Sequence, residues 1–198
     1  MNDHDDQDPT RRRILDAALD VFAASGTRAA TTRRIAELAG VNEVTLFRHF
    51  GTKGELLDSA LREAAGRLSL RPLVRADEDP RQEIGAWAQA WTRQLEGDRA
   101  LRVTCIAEHH TRPGAAAYLE SIVSGSEEPL VRYLEALRRE AAVAEGVELR
   151  DAARMLLGAL FVEVLARDLA GERPGAPLED TISRYVSLLL AGIGARPG

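Results

Sequence analysis

The sequence has little of what secreted and membrane proteins require. It contains one cysteine, Cys105, which cannot form an internal disulfide and is typical of a protein in a reducing cytoplasm. Charged residues interrupt its apolar stretches well before about 18 residues, the length that a membrane helix needs. Its first residues are acidic and polar, unlike a secretory signal. We therefore expect a cytoplasmic protein with no membrane span.

Strand-forming sequence is also scarce. Aromatic residues make up only 5% of the chain, and runs of valine, isoleucine, threonine and aromatics are almost absent. Hydrophobic residues nevertheless account for 45% of the 198 residues, which is enough for a substantial core. This composition favours an all-α fold.

Motifs for catalysis and metal binding are lacking as well. The chain has no glycine-rich phosphate loop, no G-x-S-x-G turn and no Asp/His pairing with informative spacing. Cys105 and His109 lie four residues apart, with His110 beside them, but a metal site needs three or four ligands. We therefore expect no enzymatic activity, no cofactor and no metal, and interpret Cys105 as a buried thiol.

What the sequence does contain is a helix, a tight turn and a second short helix in residues 31–50, TTRRIAELAGVNEVTLFRHF. Thr31 can cap the first helix, and Gly40 can end it in the left-handed conformation that glycine adopts without steric cost. Asn42 can cap the second helix. This pattern is a helix-turn-helix, whose second helix lies in the major groove of DNA.

The distribution of charge is compatible with this interpretation. The net charge of −5 argues against indiscriminate nucleic-acid binding, yet residues 10–60 hold eight basic and six acidic side chains. A mildly basic N-terminal region followed by an acidic remainder is compatible with DNA binding through a few well-placed contacts.

Helical patterns continue to the end of the chain. Thr52 and Glu55 have the T-x-x-E spacing of a capping box at the start of the fourth helix. We predict helices over residues 10–25, 31–39, 42–50, 52–70, 81–96, 100–110, 115–123, 127–144, 150–170 and 178–193.

The last two predicted helices are apolar around most of their circumference, so they should be buried. A subunit interface is the natural place for such helices at the end of the chain. We therefore expect a homodimer, with an interface that includes Leu157, Phe161, Tyr185, Leu189 and Ile193.

Residues 10–60 resemble the N-terminal domain of the TetR family of bacterial transcriptional regulators. The resemblance lies in ILDAALDVFAASG, in TTRRIAELAGVNEVTLFRHF and in the T-K-x-E-L-L start of the next helix, at the family's spacing. It implies a homodimer that binds a palindromic DNA operator, usually as a repressor released by a small ligand. It also implies a three-helix DNA-binding domain (10–56) and a helical ligand-binding and dimerisation domain (57–198). Residues 1–9 are polar and acidic and end at Pro9, so we expect them to form a disordered tail.

The resemblance further implies which residues contact DNA: Thr32, Arg33, Asn42, Glu43, Val44, Thr45, Phe47, Arg48, His49 and Lys53. Phe47 departs from the family's usual tyrosine, so a phosphate contact is lost, although Phe can pack against a sugar or a thymine methyl group. Glu43 is also a departure, and it either accepts from cytosine N4 or stabilises the helix end. Lys53, the only lysine, either reaches a phosphate or is a solvated surface residue.

Large or polarisable residues on the later helices are candidates for the wall of an effector cavity. Their simplest role is in the core, and the alternative is a pocket between helices for a small apolar or aromatic ligand. The candidates are Trp87, Trp91, Cys105, His109, Tyr118 and Phe161.

A competing function remains open at this point. A helical interaction protein of the same fold that has lost specific DNA binding would also carry the departures at Glu43 and Phe47.

Overall fold

The all-α fold is confirmed by the computed structural model, which describes residues 8–67, 73, 79–140, 143–144, 146–170 and 176–195. The predicted disordered tail lies outside these residues, except for its last two positions. Within the described residues the helices are α1 (Pro9–Ala29), α2 (Thr32–Ala39), α3 (Glu43–Phe50), α4 (Lys53–Arg67), α5 (Pro80–Gly97), α6 (Arg99–Glu108), α7 (Pro113–Arg139), α8 (Leu149–Ala170) and α9 (Leu178–Gly192).

These helices form two compact units. The first contains α1 to α4, α6 and the part of α7 up to residue 122, and the second contains α5, the rest of α7, α8 and α9. The domain boundary predicted after residue 56 differs from this division, which places all of α4 and also α6 in the first unit. In the first unit α6 packs along α1, so it belongs with the N-terminal helices.

Helix α1 begins earlier than predicted, because Asp8 rather than Thr10 caps it. The Asp8 carboxylate accepts from the backbone N–H of Thr10 at 2.8 Å, and Pro9 occupies the first turn, where its missing N–H costs nothing. Residues 8 and 9 are thus ordered, contrary to the prediction of a disordered tail through residue 9. The helix is interrupted at Gly26, whose φ of 69° lies in the left-handed region.

The core of the first unit is built around α1. The buried face of this helix packs against α2, α4 and α6, as its broad apolar stripe predicted. Its fully buried residues include Ile14, Leu15, Ala18 and Phe22. Ile35 of α2 and Leu46 of α3 are also fully buried, so the two helices of the helix-turn-helix are fixed to this core.

Helix α7 is one helix where two were predicted, over 115–123 and 127–144. It continues through Pro129, although a proline removes a helical hydrogen bond and usually kinks or ends a helix. Ion pairs support this segment within the second unit. The buried Glu127 carboxylate accepts from Arg154 Nε at 2.8 Å and from Arg150 Nη1. The hydrogen bond from Arg154, partly offset by desolvation and reinforced by Arg150, lowers the pKa of Glu127.

Candidate DNA-binding surface

The helix-turn-helix has the local geometry that its sequence predicts. Thr31 Oγ1 accepts from the backbone N–H of Arg34 at 3.2 Å, and Gly40 ends α2 with a φ of 66°. Asn42 Oδ1 accepts from the backbone N–H of Thr45 at 2.7 Å and so caps α3. These local contacts define where α2 ends and where α3 starts.

The outward face of α3 is mainly apolar. Val44 is 76% exposed and Phe47 is 44% exposed, while Arg48 is also exposed. Leu46 and Phe50 take the inward positions. A helix fixed in this way presents two apolar side chains and one guanidinium group to whatever it binds.

Glu43 is tied to α2. Its Oε2 accepts from the hydroxyl of Thr32 at 2.6 Å, which joins the first turns of α2 and α3. This contact favours the stabilising role for Glu43 over a contact with cytosine. Arg33, in the same turn of α2 as Thr32, donates from Nε to Glu37 Oε1 at 3.0 Å. This hydrogen bond raises the pKa of Arg33, and the charges of Glu37 and Glu43 raise it further.

Three more predicted DNA contacts, Asn42, Thr45 and His49, already have protein partners. The Thr45 hydroxyl donates to Asn42 Oδ1 at 2.9 Å, so both side chains take part in the cap of α3. The half-buried His49 lies with Nε2 3.7 Å from Asp8 Oδ2. Through this pair the end of α3 contacts the residue that caps α1.

Lys53 stands at the first position of α4, beside the predicted capping box. Thr52 N–H donates to Glu55 Oε2 at 2.9 Å, and Glu55 N–H donates to Thr52 Oγ1 at 3.2 Å, which confirms the capping box. The Lys53 ammonium donates to the backbone carbonyl of Thr27 at 3.0 Å. It is half-buried rather than fully solvated, and its other N–H donors remain available to a phosphate.

The chain is similar over nearly its whole length to proteins named as transcriptional regulators. It is 26% identical over 189 residues to the transcriptional regulator YvkB of Bacillus subtilis, covering 94% of this chain and 98% of that protein. It is 26% identical over 191 residues to the repressor KstR2 of Rhodococcus jostii, covering 93% and 91%. The structure of the fatty acid degradation regulator FadR from Bacillus halodurans has the same fold, with a TM-score of 0.70 at 23% identity, covering 96% and 99%.

The family comparison agrees with the geometry. Residues 14–60 match the family described as bacterial regulatory proteins, tetR family. The helix-turn-helix region of the chain is therefore a TetR-family DNA-binding domain. The proteins that the chain resembles over nearly its whole length are transcriptional regulators, a non-enzymatic class. Among the described residues, none of the helices has the length and apolar character that a membrane span requires.

A polar junction lies behind Lys53, on the side of Thr27 that faces α6. Glu108 at the end of α6 accepts from the Thr27 backbone N–H at 2.8 Å and also from its hydroxyl. Arg112 Nε donates to the same hydroxyl at 2.8 Å, and its Nη1 donates to Asp58 of α4 at 3.1 Å. We call these five residues, Thr27, Lys53, Asp58, Glu108 and Arg112, the Thr27 junction.

The sequence gives no signal for the Thr27 junction, because its partners lie up to 85 residues apart. The nearest clue is Gly26. A Cβ at this position would stand 2.5 Å from Glu108 Oε1, so a side chain would displace the carboxylate from Thr27.

The six predicted effector contacts are divided equally between the two units. Trp87, Trp91 and Phe161 belong to the second unit, where both tryptophans are buried and Phe161 is half-buried. The other three, Cys105, His109 and Tyr118, belong to the first unit.

The buried groups in each unit include polar atoms without hydrogen-bond partners. These are the indole nitrogen of Trp87 in the second unit and the hydroxyl of Tyr118 in the first. Burial raises the pKa of Tyr118 and raises that of the Cys105 thiol to about 12. His109 Nδ1 lies 2.7 Å from the carbonyl of Ile106, and no metal-binding cluster occurs among the described residues.

The predicted dimer helices carry an exposed apolar groove of about 590 Å³ on α8 and α9. Met155 is 75% exposed and Leu188 is 68% exposed, and Tyr185 and Leu189 are half-buried. Of the predicted interface residues, Tyr185, Leu189 and Ile193 line this groove, whereas Leu157 and Phe161 do not. Leu157 and Ile193 are almost fully buried within their own unit. Helical periodicity alone did not distinguish the inner face of these helices from the outer one. The groove is lined by Val147, Glu148, Asp151, Ala152, Met155, Leu156, Ala159, Tyr185, Leu188, Leu189, Gly192 and Ile193.

Proposed function

We propose that the protein is a ligand-responsive transcriptional regulator that binds a palindromic DNA operator as a homodimer in the cytoplasm, most simply as a repressor. The observation that carries this proposal is the outward face of α3. Val44, Phe47 and Arg48 form an exposed surface on a helix that caps and core contacts hold in place. Such a surface fits the major groove.

Phosphate contacts would come from the flanking cations. Lys53 presents its ammonium at the start of α4, and Arg33 extends from the first turn of α2. Contacts of this kind set the register of a protein on the duplex without reading sequence. A contact between Lys53 and a DNA phosphate would therefore position the protein, while α3 reads the bases.

The proposal of a homodimer rests on the groove of α8 and α9. Exposed Met155 and Leu188 would be costly in water, at about 25 cal/mol for each Å² of apolar surface. Pairing the two helices with their copies in a second chain would give a four-helix bundle and place two α3 helices about a two-fold axis. An inverted repeat is the DNA sequence that such a dimer matches.

The effector is proposed to be a small apolar or aromatic molecule with few polar groups. Within the second unit, the buried Trp87 and Trp91 supply apolar surface, and the indole N–H of Trp87 is a buried donor able to hydrogen-bond a ligand. FadR, which shares the fold, is named for fatty acid degradation, and this supports an apolar effector.

Coupling between effector and DNA is proposed to run through the Thr27 junction. Glu108 and Arg112 bind Thr27 from the α6 side, and Lys53 binds the carbonyl of the same residue from the DNA side. An effector that prefers a different position of α6 would shift Thr27 and the start of α4 together. Such coupling is typically worth about 1–3 kcal/mol, which changes affinity about 5- to 150-fold.

The competing function, an interaction protein without specific DNA binding, loses one of its two supports. Glu43 does not present an unpaired acidic group on α3, because it accepts from Thr32. Only the replacement of the family's usual tyrosine by Phe47 still favours that alternative.

A gel-shift titration against the DNA that flanks the protein's own coding sequence tests the proposal. We expect a retarded complex that survives excess nonspecific DNA, and a footprint that contains an inverted repeat. The control is a double variant, Val44→Asp with Arg48→Asp, whose exposed positions should leave folding intact while abolishing binding. Equal binding of all DNA sequences, or none at all, would contradict specific operator recognition.

A further inference from the structure

Val44 and Phe47 are large apolar residues that remain exposed on α3. The two residues lie three apart on α3 and so share one face of the helix, whereas Leu46 and Phe50 make its core contacts. In a helix of eight residues, two large apolar side chains in solvent are a conspicuous feature. Their chemistry must match the surface that α3 meets.

The polar neighbours of these side chains are largely engaged within the protein. Glu43 accepts from Thr32, the Thr45 hydroxyl donates to Asn42, and His49 lies beside Asp8. Arg48 is the exposed cation that remains on α3. The part of the recognition helix that is available to bases is therefore two apolar groups and one guanidinium.

The major groove offers one apolar group to such a helix, the C5-methyl of thymine. Guanine offers the two acceptors that a guanidinium group binds in a bidentate manner. We infer that Val44 and Phe47 read thymine methyl groups in each half-site, next to a guanine read by Arg48. This inference rests on the proposed DNA-binding function and specifies the bases that it recognises.

The spacing of the three side chains limits where these bases lie. Val44 and Arg48 are four residues apart, about one helical turn of 5.4 Å, and stacked base pairs are about 3.4 Å apart. The thymines and the guanine should therefore fall within about two base pairs of one another. Apolar contacts to methyl groups add selectivity there without any further polar side chain.

Deoxyuridine substitution tests the inference directly, because deoxyuridine keeps every hydrogen-bonding group of thymidine and lacks only the methyl group. The full-length protein is titrated with its operator, and each thymine of a half-site is replaced in turn. Replacement of a contacted thymine should weaken binding about fourfold, as expected for one methyl group removed from an apolar contact. Thymines outside the α3 contacts should show no change.

Alanine variants assign the effect to side chains. In Val44→Ala or Phe47→Ala, binding to the thymine operator should weaken, and at least one deoxyuridine substitution should no longer matter. The matched control is Val103→Ala on α6, which changes a valine that is 39% exposed outside the helix-turn-helix. This control should keep the full sensitivity to deoxyuridine.

The outcomes separate this inference from the function on which it rests. Specific binding that tolerates deoxyuridine at every thymine overturns the methyl readout and leaves the regulator intact. Sensitivity that persists unchanged in both alanine variants also overturns it, since the methyl effect would then come from DNA shape or other residues. A protein that binds no DNA specifically overturns the proposed function and this inference together.

Discussion

The Lys53 ammonium donates to the carbonyl of Thr27 at 3.0 Å, and this bond joins the start of α4 to the end of α1. The same Thr27 is held by Glu108 through its backbone N–H and its hydroxyl. A side chain expected to bind a phosphate is thus positioned by the residue that α6 also binds. The position of α6 can therefore influence the cation without contacting DNA.

The first prediction concerns the two cations of the DNA-binding surface. Lys53→Ala should weaken binding about equally on all operator variants and reduce the slope of log K against log salt by about one, because one counterion-releasing contact is lost. Arg48→Ala should instead change the ranking of the variants. Arg62→Ala, at an exposed position further along α4, is the control. Altered sequence preference in Lys53→Ala, with unchanged preference in Arg48→Ala, would reverse these roles.

The second prediction concerns the dimer. Met155→Glu and Leu188→Glu should each yield monomers in sedimentation at micromolar concentration, because a carboxylate would be buried without a partner in the interface. Val123→Glu, at an exposed apolar position on α7, should remain dimeric. Ile193→Glu is unsuitable here, since Ile193 lies in the core and its loss would unfold the unit. A monomeric wild-type protein would refute the interface.

The third prediction uses the two tryptophans, both of which lie on α5. An apolar or aromatic metabolite that acts as effector should shift their emission and release operator DNA over the same concentration range. Trp87→Leu and Trp91→Leu should change its apparent affinity. Release of DNA that leaves the emission unchanged and survives both substitutions would place the effector elsewhere.

The fourth prediction is that Cys105 is chemically silent in the folded protein. Its thiol is fully buried and its pKa is raised to about 12, mainly by desolvation, so almost no thiolate is present near pH 8. A thiol-reactive dye should label the native protein very slowly and the denatured protein quickly. Rapid labelling of the native protein would show that α6 opens readily and would revive a sensing role for the thiol.

The fifth prediction is an acid-dependent loss of stability at Glu127. Its pKa in the folded protein lies below the ordinary value of 4.5, because Arg154 and Arg150 stabilise the carboxylate. The associated stability is present above pH 4.5 and is lost as the pH falls through the folded pKa. Thermal unfolding should therefore show a smaller acid dependence for Glu127→Gln than for the wild type, and identical dependence would contradict this role.

The parts of the fold that the sequence predicted well depend on neighbours a few residues apart. The capping box of Thr52 and Glu55, the left-handed Gly40 and the cap at Asn42 each involve backbone groups within three or four positions. Local chemistry decides such contacts, so the residue types suffice to predict them.

Features that depend on distant residues could not be predicted in the same way. The Thr27 junction joins residues 81 and 85 positions apart, and α7 continues through Pro129, where ion pairs from α8 stabilise its buried Glu127. Periodicity identified α8 and α9 as strongly apolar but did not show which face was covered. Ile193 is buried and Leu188 is exposed because α9 packs with only one of its faces against the rest of the second unit.

Lys53 is the only lysine in the sequence, so reagents that acylate ε-amines have a single side-chain target. Acylation removes the positive charge and replaces the ammonium that donates to the Thr27 carbonyl with a neutral amide that has a single N–H. Bound DNA should shield this amine if it contacts a phosphate, and mass spectrometry would then read occupancy of the operator from one peptide. The scarcity of lysine thus gives the protein a native single-site label at the place where it is expected to contact DNA.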